Sequence, residues 1–257
     1  MDMLLGPRDA GQVIKDSFTI CGRNFPTLLA ITSATGLTLV ILGWAWLVAS
    51  MFVWYPYIIP LKQSQLLTPY LLAAGVLLVA LAIPVIPLLI GALIYAVAGQ
   101  CAGQKVSFGQ AYRFAWQRIG SLIGAGIIYY VIVMWLPYTL IGIPFAVYFG
   151  ITCAFAMQAA LIEGCSAGAA LARSQDLVKN NWKRVLGYLL LLGLVTGAIS
   201  VFLSITWILP VLVIPICVAG ATLIYFDLRV RKEGYTVELL EKELGLENSP
   251  YGQSTES

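Results

Sequence analysis

Residues 119–162 read IGSLIGAGIIYYVIVMWLPYTLIGIPFAVYFGITCAFAMQAALI, and none of these 44 residues carries a charge. A helix that crosses a bilayer needs about 20 predominantly apolar residues. The run is therefore long enough for two crossings, and Pro137 and Pro144 near its middle indicate a turn between them. We expect two membrane helices here, joined by a tight turn near residues 137–144.

The composition of the whole chain agrees with this interpretation. Of its 257 residues, 60% are hydrophobic and only 11% are charged, and the mean hydropathy is +0.88. An average soluble domain carries about 25% charged residues, so this chain has too few charges to cover a soluble globule. The composition excludes a soluble enzyme and a disordered chain, and it predicts an all-α, polytopic membrane protein.

Further apolar runs bring the predicted number of membrane helices to six. Residues 185–226 form a second uncharged run of 42 residues, which predicts two helices with a turn near residues 207–210. Residues 26–53 and 69–98 form the first two predicted spans. The six helices then make three consecutive hairpins.

The basic residues indicate the orientation of these helices. Fourteen of the 15 Lys and Arg residues lie before the first span, between the second and third, between the fourth and fifth, or after the sixth, and Lys62 alone lies on the other side. Positively charged loops favour the cytoplasmic side of a membrane. We expect a multi-pass protein of the cell (inner) membrane with both termini in the cytoplasm.

The segments on the basic side share a pattern that predicts three amphipathic helices. Asp9, Ser107 and Ser166 each stand two residues before a glycine, as helix N-caps, and Gln12 and Gln110 complete capping boxes with the first two. Apolar residues then recur at helical spacing. The three predicted stripes are Ile14, Phe18, Cys21 and Phe25; Phe108, Tyr112, Ala115 and Ile119; and Ala167, Leu171, Ser174 and Val178.

Each amphipathic helix precedes one hairpin, which divides a single membrane domain over residues 1–235 into pseudo-repeats. The three pseudo-repeats are residues 9–98, 107–163 and 166–227. Short helices with one apolar stripe beside a bilayer are expected to lie in the headgroup region, or else to pack on the membrane helices as ordinary connectors. A short amphipathic helix over residues 236–246 and a disordered tail over residues 247–257 are predicted to follow.

Side chains suited to catalysis are scarce in the sequence. The chain has no histidine, which removes histidine general bases, histidine-containing triads and histidine metal ligands. Its five cysteines are scattered and form no C-x-x-C pair, which indicates reduced structural thiols. We therefore predict a non-enzymatic protein without a cofactor or a bound metal, and the net charge of +3 gives no reason to expect nucleic-acid binding.

Several short segments together carry a resemblance to a known family. They are Asn24-Phe25 after Gly11, and residues 107–111, 163–167, 180–182 and 225–235, the last of which reads YFDLRVRKEGY. The arrangement resembles the membrane domain that precedes the catalytic barrel in some bacterial glycerophosphoryl diester phosphodiesterases. The resemblance implies a fold and a membrane location. It implies no catalytic residue, because only 30 residues follow Asp227 and the histidines of that enzyme have no counterpart here.

The first candidate site lies where the last span leaves the membrane. Arg229, Arg231 and Lys232 cluster there and would attract lipid phosphates or an acidic partner. Alternatively, they form a stop-transfer anchor in which Asp227 pairs with a nearby arginine. We favour the anchor.

The second candidate site is Glu163, which closes the fourth predicted span. We expect Glu163 to pair with a basic residue of another segment, such as Arg113 or Arg173, and thereby to fix the layer of amphipathic helices. A transport role would require a charge inside the membrane, and none stands at mid-membrane depth in any predicted span.

Prolines and glycines interrupt two of the predicted hairpins. They are Pro84, Pro87 and Gly91 in the first and Pro210, Pro215 and Gly220 in the third. Prolines inside a span kink it, and such broken helices line substrate sites in some transporters. More often these residues permit kinks and close packing.

These observations favour a scaffold or accessory subunit of a membrane complex. Its expected partners are the lipid bilayer and a protein, which is either another chain or a second copy of this one. The alternatives are binding or transport of a lipid or an apolar small molecule, and an accessory role in glycerophosphodiester or lipid metabolism.

Overall fold

The computed structural model describes residues 6–58, 83–139, 142–203 and 209–246, together with residues 73, 76 and 80. Every regular element within these residues is helical. The helices are α1 (Ala10–Arg23), α2 (Phe25–Ile58), α3 (Val85–Cys101), α4 (Phe108–Gln117), α5 (Ile119–Trp135), α6 (Gly142–Thr152), α7 (Ala156–Ile162), α8 (Ala167–Val178), α9 (Trp182–Leu203), α10 (Leu209–Glu233) and α11 (Val237–Leu244), with a 3-10 turn at Leu136–Tyr138.

Five helical stretches among the described residues are long and apolar enough to cross a membrane. They are Phe25–Ala45, Ile119–Tyr138, Gly142–Ile162, Trp182–Val201 and Val213–Glu233. Helix α3 is apolar but has only 17 residues, and most of the residues of the second predicted span that precede it lie outside the described ones. The fold is thus all-helical and consistent with a membrane protein, whereas the sixth span and the three-hairpin arrangement stay predictions.

The predicted turn near residues 137–144 is confirmed. The 3-10 turn at Leu136–Tyr138 follows α5 directly, and the Gly142 N–H donates to the Thr139 carbonyl at 2.8 Å where α6 begins. The other predicted turn, near residues 207–210, and the tail over residues 247–257 fall largely or wholly outside the described residues.

Pro84 and Pro87 lie at the start of α3 and not in its interior, and most of the predicted span before them lies outside the described residues. Residues 83–84 form a turn, Pro84 is the N-cap of α3, and Pro87 occupies its first turn. The first four N–H groups of a helix have no partner within it, so prolines there remove no hydrogen bond. Pro215, in contrast, does lie inside α10.

The third of these five stretches, Gly142–Ile162, contains a break that the sequence analysis did not predict. Helix α6 ends at Thr152 and α7 begins at Ala156. The hydroxyl of Ser174 donates to the Thr152 carbonyl at 2.7 Å and accepts from the Phe155 N–H at 3.1 Å. Since Ser174 and Phe155 are fully buried, the serine pairs two backbone groups that the break leaves without helical partners. It also fixes α8 to this span.

The three predicted amphipathic helices begin at the predicted caps. Asp9, Ser107 and Ser166 are the N-caps of α1, α4 and α8. In both predicted capping boxes the glutamine side chain accepts from the N–H of the cap residue at 3.0 Å. The three starts are confirmed. In the two capping boxes the paired side chains satisfy N–H groups that every isolated helix end leaves open, whereas Ser166 makes no side-chain hydrogen bond of this kind.

The predicted apolar stripes of α1 and α4 are partly wrong. Phe18, Phe25 and Phe108 are 41%, 46% and 41% exposed. The buried faces consist instead of smaller or slimmer side chains, namely Val13, Ser17, Ile20 and Cys21 in α1 and Ala111 and Ala115 in α4. Small side chains let these helices approach the bundle closely, and the large aromatic rings then remain on its outer surface. The stripe of α8 is buried from Leu171 to Val178 as predicted.

Helices α3 and α10 form the centre of the core. Most of α3 from Leu89 to Cys101 and most of α10 from Ala219 to Leu228 are buried. A Cβ atom at Gly91 would lie 2.7 Å from Leu122, and one at Gly220 would lie 2.7 Å from Leu192. Both glycines therefore permit close helix packing.

The predicted tail helix is confirmed as α11, and it folds back onto the bundle. Leu240 and Leu244 are buried against the core. Gly245 ends the helix in the left-handed conformation, with φ of 66°. Helix α11 packs against α3 and α7. It lies at the same end of the bundle as α1, α4 and α8, and we call this end the basic face.

Candidate functional site

Glu163 is the hub of a group of charged residues on the basic face. It follows α7 directly, and its carboxylate accepts from Arg173 Nε at 2.8 and 3.1 Å. The hydroxyl of Tyr225 donates to the same carboxylate at 2.5 Å, and Arg229 Nε lies 3.8 Å away. One carboxylate thus joins α7, α8 and α10.

Arg229 connects this hub to the C-terminal helix. Its guanidinium makes two parallel hydrogen bonds to Glu243 of α11, at 2.8 and 2.9 Å, which is the strongest geometry for an arginine–carboxylate pair. It also stacks over the ring of Tyr235, with 3.7 Å between the guanidinium carbon and the ring centroid. Arg229 is only 5% exposed, so water competes little with these contacts.

Glu233 closes the group by contacting both arginines. It lies 2.6 Å from Arg173 and 3.4 Å from Arg229. Glu163, Arg173, Arg229, Glu233 and Glu243 therefore form one connected set, which we call the glutamate–arginine network. It holds α7, α8, α10 and α11 together. Glu163 directly follows α7, and the other four residues belong to α8, α10 and α11.

The environment of the network shifts the pKa values of its neighbours. Burial and the hydrogen bond to Glu243 raise the pKa of the Tyr235 hydroxyl well above its ordinary value. Burial alone would lower the pKa of Arg173, but its hydrogen bonds to Glu233 and Glu163 raise it. Both groups consequently keep their donor protons at physiological pH.

Asp227 is the centre of a second cluster, which fixes the N-terminal segment. Its side chain is completely buried, and it accepts from the backbone N–H of Arg8 at 2.7 Å and from Arg231 Nε at 2.9 Å. Arg231 and the Tyr188 hydroxyl both donate to the Arg8 carbonyl, at 3.0 and 2.7 Å. The Arg8 side chain pairs with Asp16 of α1 at 3.0 Å.

Arg118 supports the same face by satisfying a helix end. Its guanidinium donates to the carbonyl of Leu161 and, at 3.0 Å, to the carbonyl of Ile162, the last residues of α7. The guanidinium carbon also lies 4.6 Å from the ring centroid of Phe114. Burial lowers the pKa of Arg118, although the field of Glu243 opposes this shift. Arginine is suited to this position because the last four carbonyls of a helix lack internal partners.

The structure distributes the candidate residues of the last span over three contacts. Arg229 pairs with Glu243, Arg231 with Asp227, and Lys232 with Asp176 at 3.9 Å and with its backbone carbonyl. Since each cation already contacts an acceptor of this chain, the geometry favours the anchor over a lipid-phosphate patch.

Glu163 pairs with Arg173, which was one of its two expected partners. Arg113, the other expected partner, makes no ion pair within the described part of the chain. The sequence analysis missed the aromatic and tail members of this site, namely Tyr188, Tyr225, Tyr235 and Glu243, as well as Arg8, Asp16 and Arg118. Arg118 offered a signal, because it is the last charge before the apolar run 119–162.

The site as a whole is made of satisfied charges. Each carboxylate of the glutamate–arginine network accepts from arginine or tyrosine donors, and in the described residues no three His, Cys, Asp or Glu side chains are grouped so that they could hold a metal ion. The arrangement joins helices through paired charges.

A family model described as "Domain of unknown function (DUF7847)" matches residues 115–228. This range begins in α4 and ends in α10, and it contains Glu163, Arg173 and Asp227. No curated protein and no solved structure matches the chain. The resemblance to the membrane domain of glycerophosphoryl diester phosphodiesterases therefore stays a prediction.

Proposed function

We propose that this protein is a non-enzymatic integral membrane protein that acts as a scaffold or accessory subunit of a membrane complex, with its basic face in the cytoplasm. The observation that carries the proposal is the glutamate–arginine network. It makes one unit of α7, α8, α10 and α11, while the Asp227 cluster ties the N-terminal segment to the same helix α10. The contacts hold both the N-terminal segment and α11 on the basic face. This face therefore presents the same surface to a partner at all times.

The distribution of charge supports a structural role over a catalytic one. The carboxylates of the network are engaged with arginines at 2.6 to 3.8 Å. Removing one partner of such a partly buried pair is destabilising because the other charge is left without its partner, so these pairs are suited to holding helices together.

The packing around the glycines gives no support to a transport path between the proline-containing helices. Gly91 faces Leu122 and Ala115, and Gly220 faces Leu192, at distances that leave no room for even a Cβ atom. A substrate site there would need open space lined by polar groups.

Helix α11 offers a surface to which a partner can dock. Leu239 is 48% exposed and lies among charged residues of α11, on the side away from the buried Leu240 and Leu244. An apolar side chain with charged neighbours is a typical anchor of a protein–protein contact.

Site-specific photo-crosslinking in living cells tests the proposal. We would place a photoreactive phenylalanine analogue at Leu239 and, as the matched control, at Tyr138, which is 86% exposed at the opposite end of the bundle. We expect one discrete, reproducible crosslinked species from position 239 and none from position 138. Repeated crosslinking without any discrete species from position 239, together with purification in mild detergent that yields no partner, would contradict the proposal.

A further inference from the structure

An open groove runs along the outer surface between α6, the end of α8 and the start of α9. One part of it has a volume of about 330 Å³ and is lined by apolar side chains, Pro144, Val147, Ile151 and Leu186 among them. The other part has a volume of about 470 Å³ and includes polar residues, Gln175, Asp176, Lys179 and Asn180. Tyr148, Thr152 and Trp182 line both parts. The two parts are therefore one continuous groove, which we call the α6/α9 groove.

The groove is polar at the basic face and becomes apolar along α6. A lipid changes in the same order, from its polar headgroup to its acyl chains. Its polar part lies at the basic face, where α6 ends at Thr152 and α9 begins at Trp182. From Thr152 back to Pro144 the helix covers eight residues, which is about 12 Å at 1.5 Å per residue. The hydroxyl of Thr152 donates to the Tyr148 carbonyl at 3.0 Å, so it presents no open donor to the apolar part.

The polar mouth of the groove holds a lysine, Lys179, that is open to a ligand. Lys179 lines the mouth, is exposed, and forms no ion pair with any residue that the structure describes. Lys183 and Arg184, in the first turn of α9, are exposed as well and line neither part of the groove. The one carboxylate of the mouth, Asp176, lies 3.9 Å from Lys232 of α10. Trp182 lines the same mouth as Lys179 and is 48% exposed, and tryptophan is enriched where proteins meet lipid headgroups.

We propose that the α6/α9 groove binds one anionic phospholipid of the surrounding bilayer, with an acyl chain along α6 and α9 and the phosphate at Lys179. The occupant must be amphiphilic because the two parts of the groove differ in polarity. It must be anionic because Lys179, which lines the mouth, has no ion-pair partner among the described residues, whereas the one carboxylate of the mouth, Asp176, lies 3.9 Å from Lys232. This site does not depend on the scaffold role, since no protein partner contributes to it.

Native mass spectrometry of the full chain in detergent tests this site. The probes are phosphatidylglycerol and phosphatidylcholine with identical acyl chains, added at equal concentrations. We expect the protein to retain phosphatidylglycerol with an affinity at least about fivefold higher than that for phosphatidylcholine, because one basic residue near a membrane surface contributes about that factor.

Two pairs of variants separate the groove from the general surface. Lys179→Gln is expected to lower the affinity for phosphatidylglycerol about fivefold and to leave that for phosphatidylcholine unchanged, whereas Lys105→Gln, on another exposed loop of the basic face, changes neither. Val147→Trp fills the apolar part and is expected to abolish retention of both lipids. Leu37→Trp, at a position 62% exposed on α2, retains them.

Four outcomes would overturn the proposal. The first is that Val147→Trp binds phosphatidylglycerol as the wild type does. The second is that Lys105→Gln weakens binding as much as Lys179→Gln, which indicates diffuse surface charge. The third is that inorganic phosphate displaces phosphatidylglycerol, which indicates a site for a free anion. The fourth is that the wild type forms a dimer and Val147→Trp abolishes it, which would assign the groove to a second copy of the chain.

Discussion

Two groups of basic residues on the basic face look alike in sequence and differ in the structure. Arg229, Arg231 and Lys232 end α10, and each contacts an acidic residue of this chain. The other group consists of Lys179, directly after α8, and Lys183 and Arg184 in the first turn of α9. These three residues are exposed and form no ion pair with the described residues.

The difference comes from what lies over each group. Helix α11 brings Glu243 onto Arg229, and Asp227, one turn earlier in α10, meets Arg231. The connection between α8 and α9 lies at the edge of the bundle, beside an open groove. Charges at a helix end thus stabilise the fold where another segment covers them, and they remain available for a ligand where none does.

Removal of Arg229 should have the largest effect of the changes that test this comparison. Arg229→Met leaves Glu163, Glu233 and Glu243 partly buried without their shared cation, and we expect the free energy of unfolding to fall by about 3–5 kcal/mol. Thermal unfolding of the full chain in detergent measures it. The matched variant Arg184→Met, in the exposed group, should change stability by less than about 0.5 kcal/mol. Equal losses in the two variants would contradict the comparison.

Neutralisation of Asp227 should have the next largest effect. Asp227→Asn weakens the hydrogen bonds to the Arg8 backbone and to Arg231, and we expect a loss of about 2–3 kcal/mol together with faster hydrogen exchange in α1. Asp176→Asn is the control, because its side chain is 62% exposed and 3.9 Å from its lysine, and surface pairs of this kind contribute about 0–1 kcal/mol. Unchanged exchange in α1 would show that Asp227 does not hold the N-terminal segment.

Ser174→Ala tests the break in the candidate span Gly142–Ile162. The substitution leaves the Thr152 carbonyl and the Phe155 N–H buried without their partner, and we expect a loss of about 1–2 kcal/mol in thermal unfolding. Ser33→Ala is the control, since its exposed hydroxyl donates only to carbonyls of its own helix. If both variants are as stable as the wild type, the serine does not support the break.

The smallest effect on stability is expected from the exposed group itself. Substitution of Lys179, Lys183 and Arg184 together by glutamine should leave the unfolding midpoint within the equivalent of about 0.5 kcal/mol of the wild type, while the preference for phosphatidylglycerol is lost. A large drop in stability would mean that this group also serves the fold.

The parts of the fold that depend on local patterns were predictable from the sequence. The caps Asp9, Ser107 and Ser166 and the turn near Pro137 follow from neighbouring residues alone. The five candidate spans follow from uninterrupted hydrophobicity.

The parts that depend on distant contacts were not predictable. Ser174 makes the break before Phe155 tolerable from 19 residues away, and Glu243 reaches Arg229 only because α11 folds back. Helical periodicity identified the apolar residues of α1 but could not tell the bundle side from the outer side, since Phe18 satisfies the same spacing as buried Cys21.

A double-mutant cycle on Arg229 and Glu243 tests most directly whether the glutamate–arginine network holds the basic face together. Arg229→Met, Glu243→Leu and the double variant would be compared with the wild type by thermal unfolding in the same detergent. We predict a coupling of about 1–3 kcal/mol between the two positions, with the double variant more stable than the sum of the single losses implies. Losses that simply add would contradict the account.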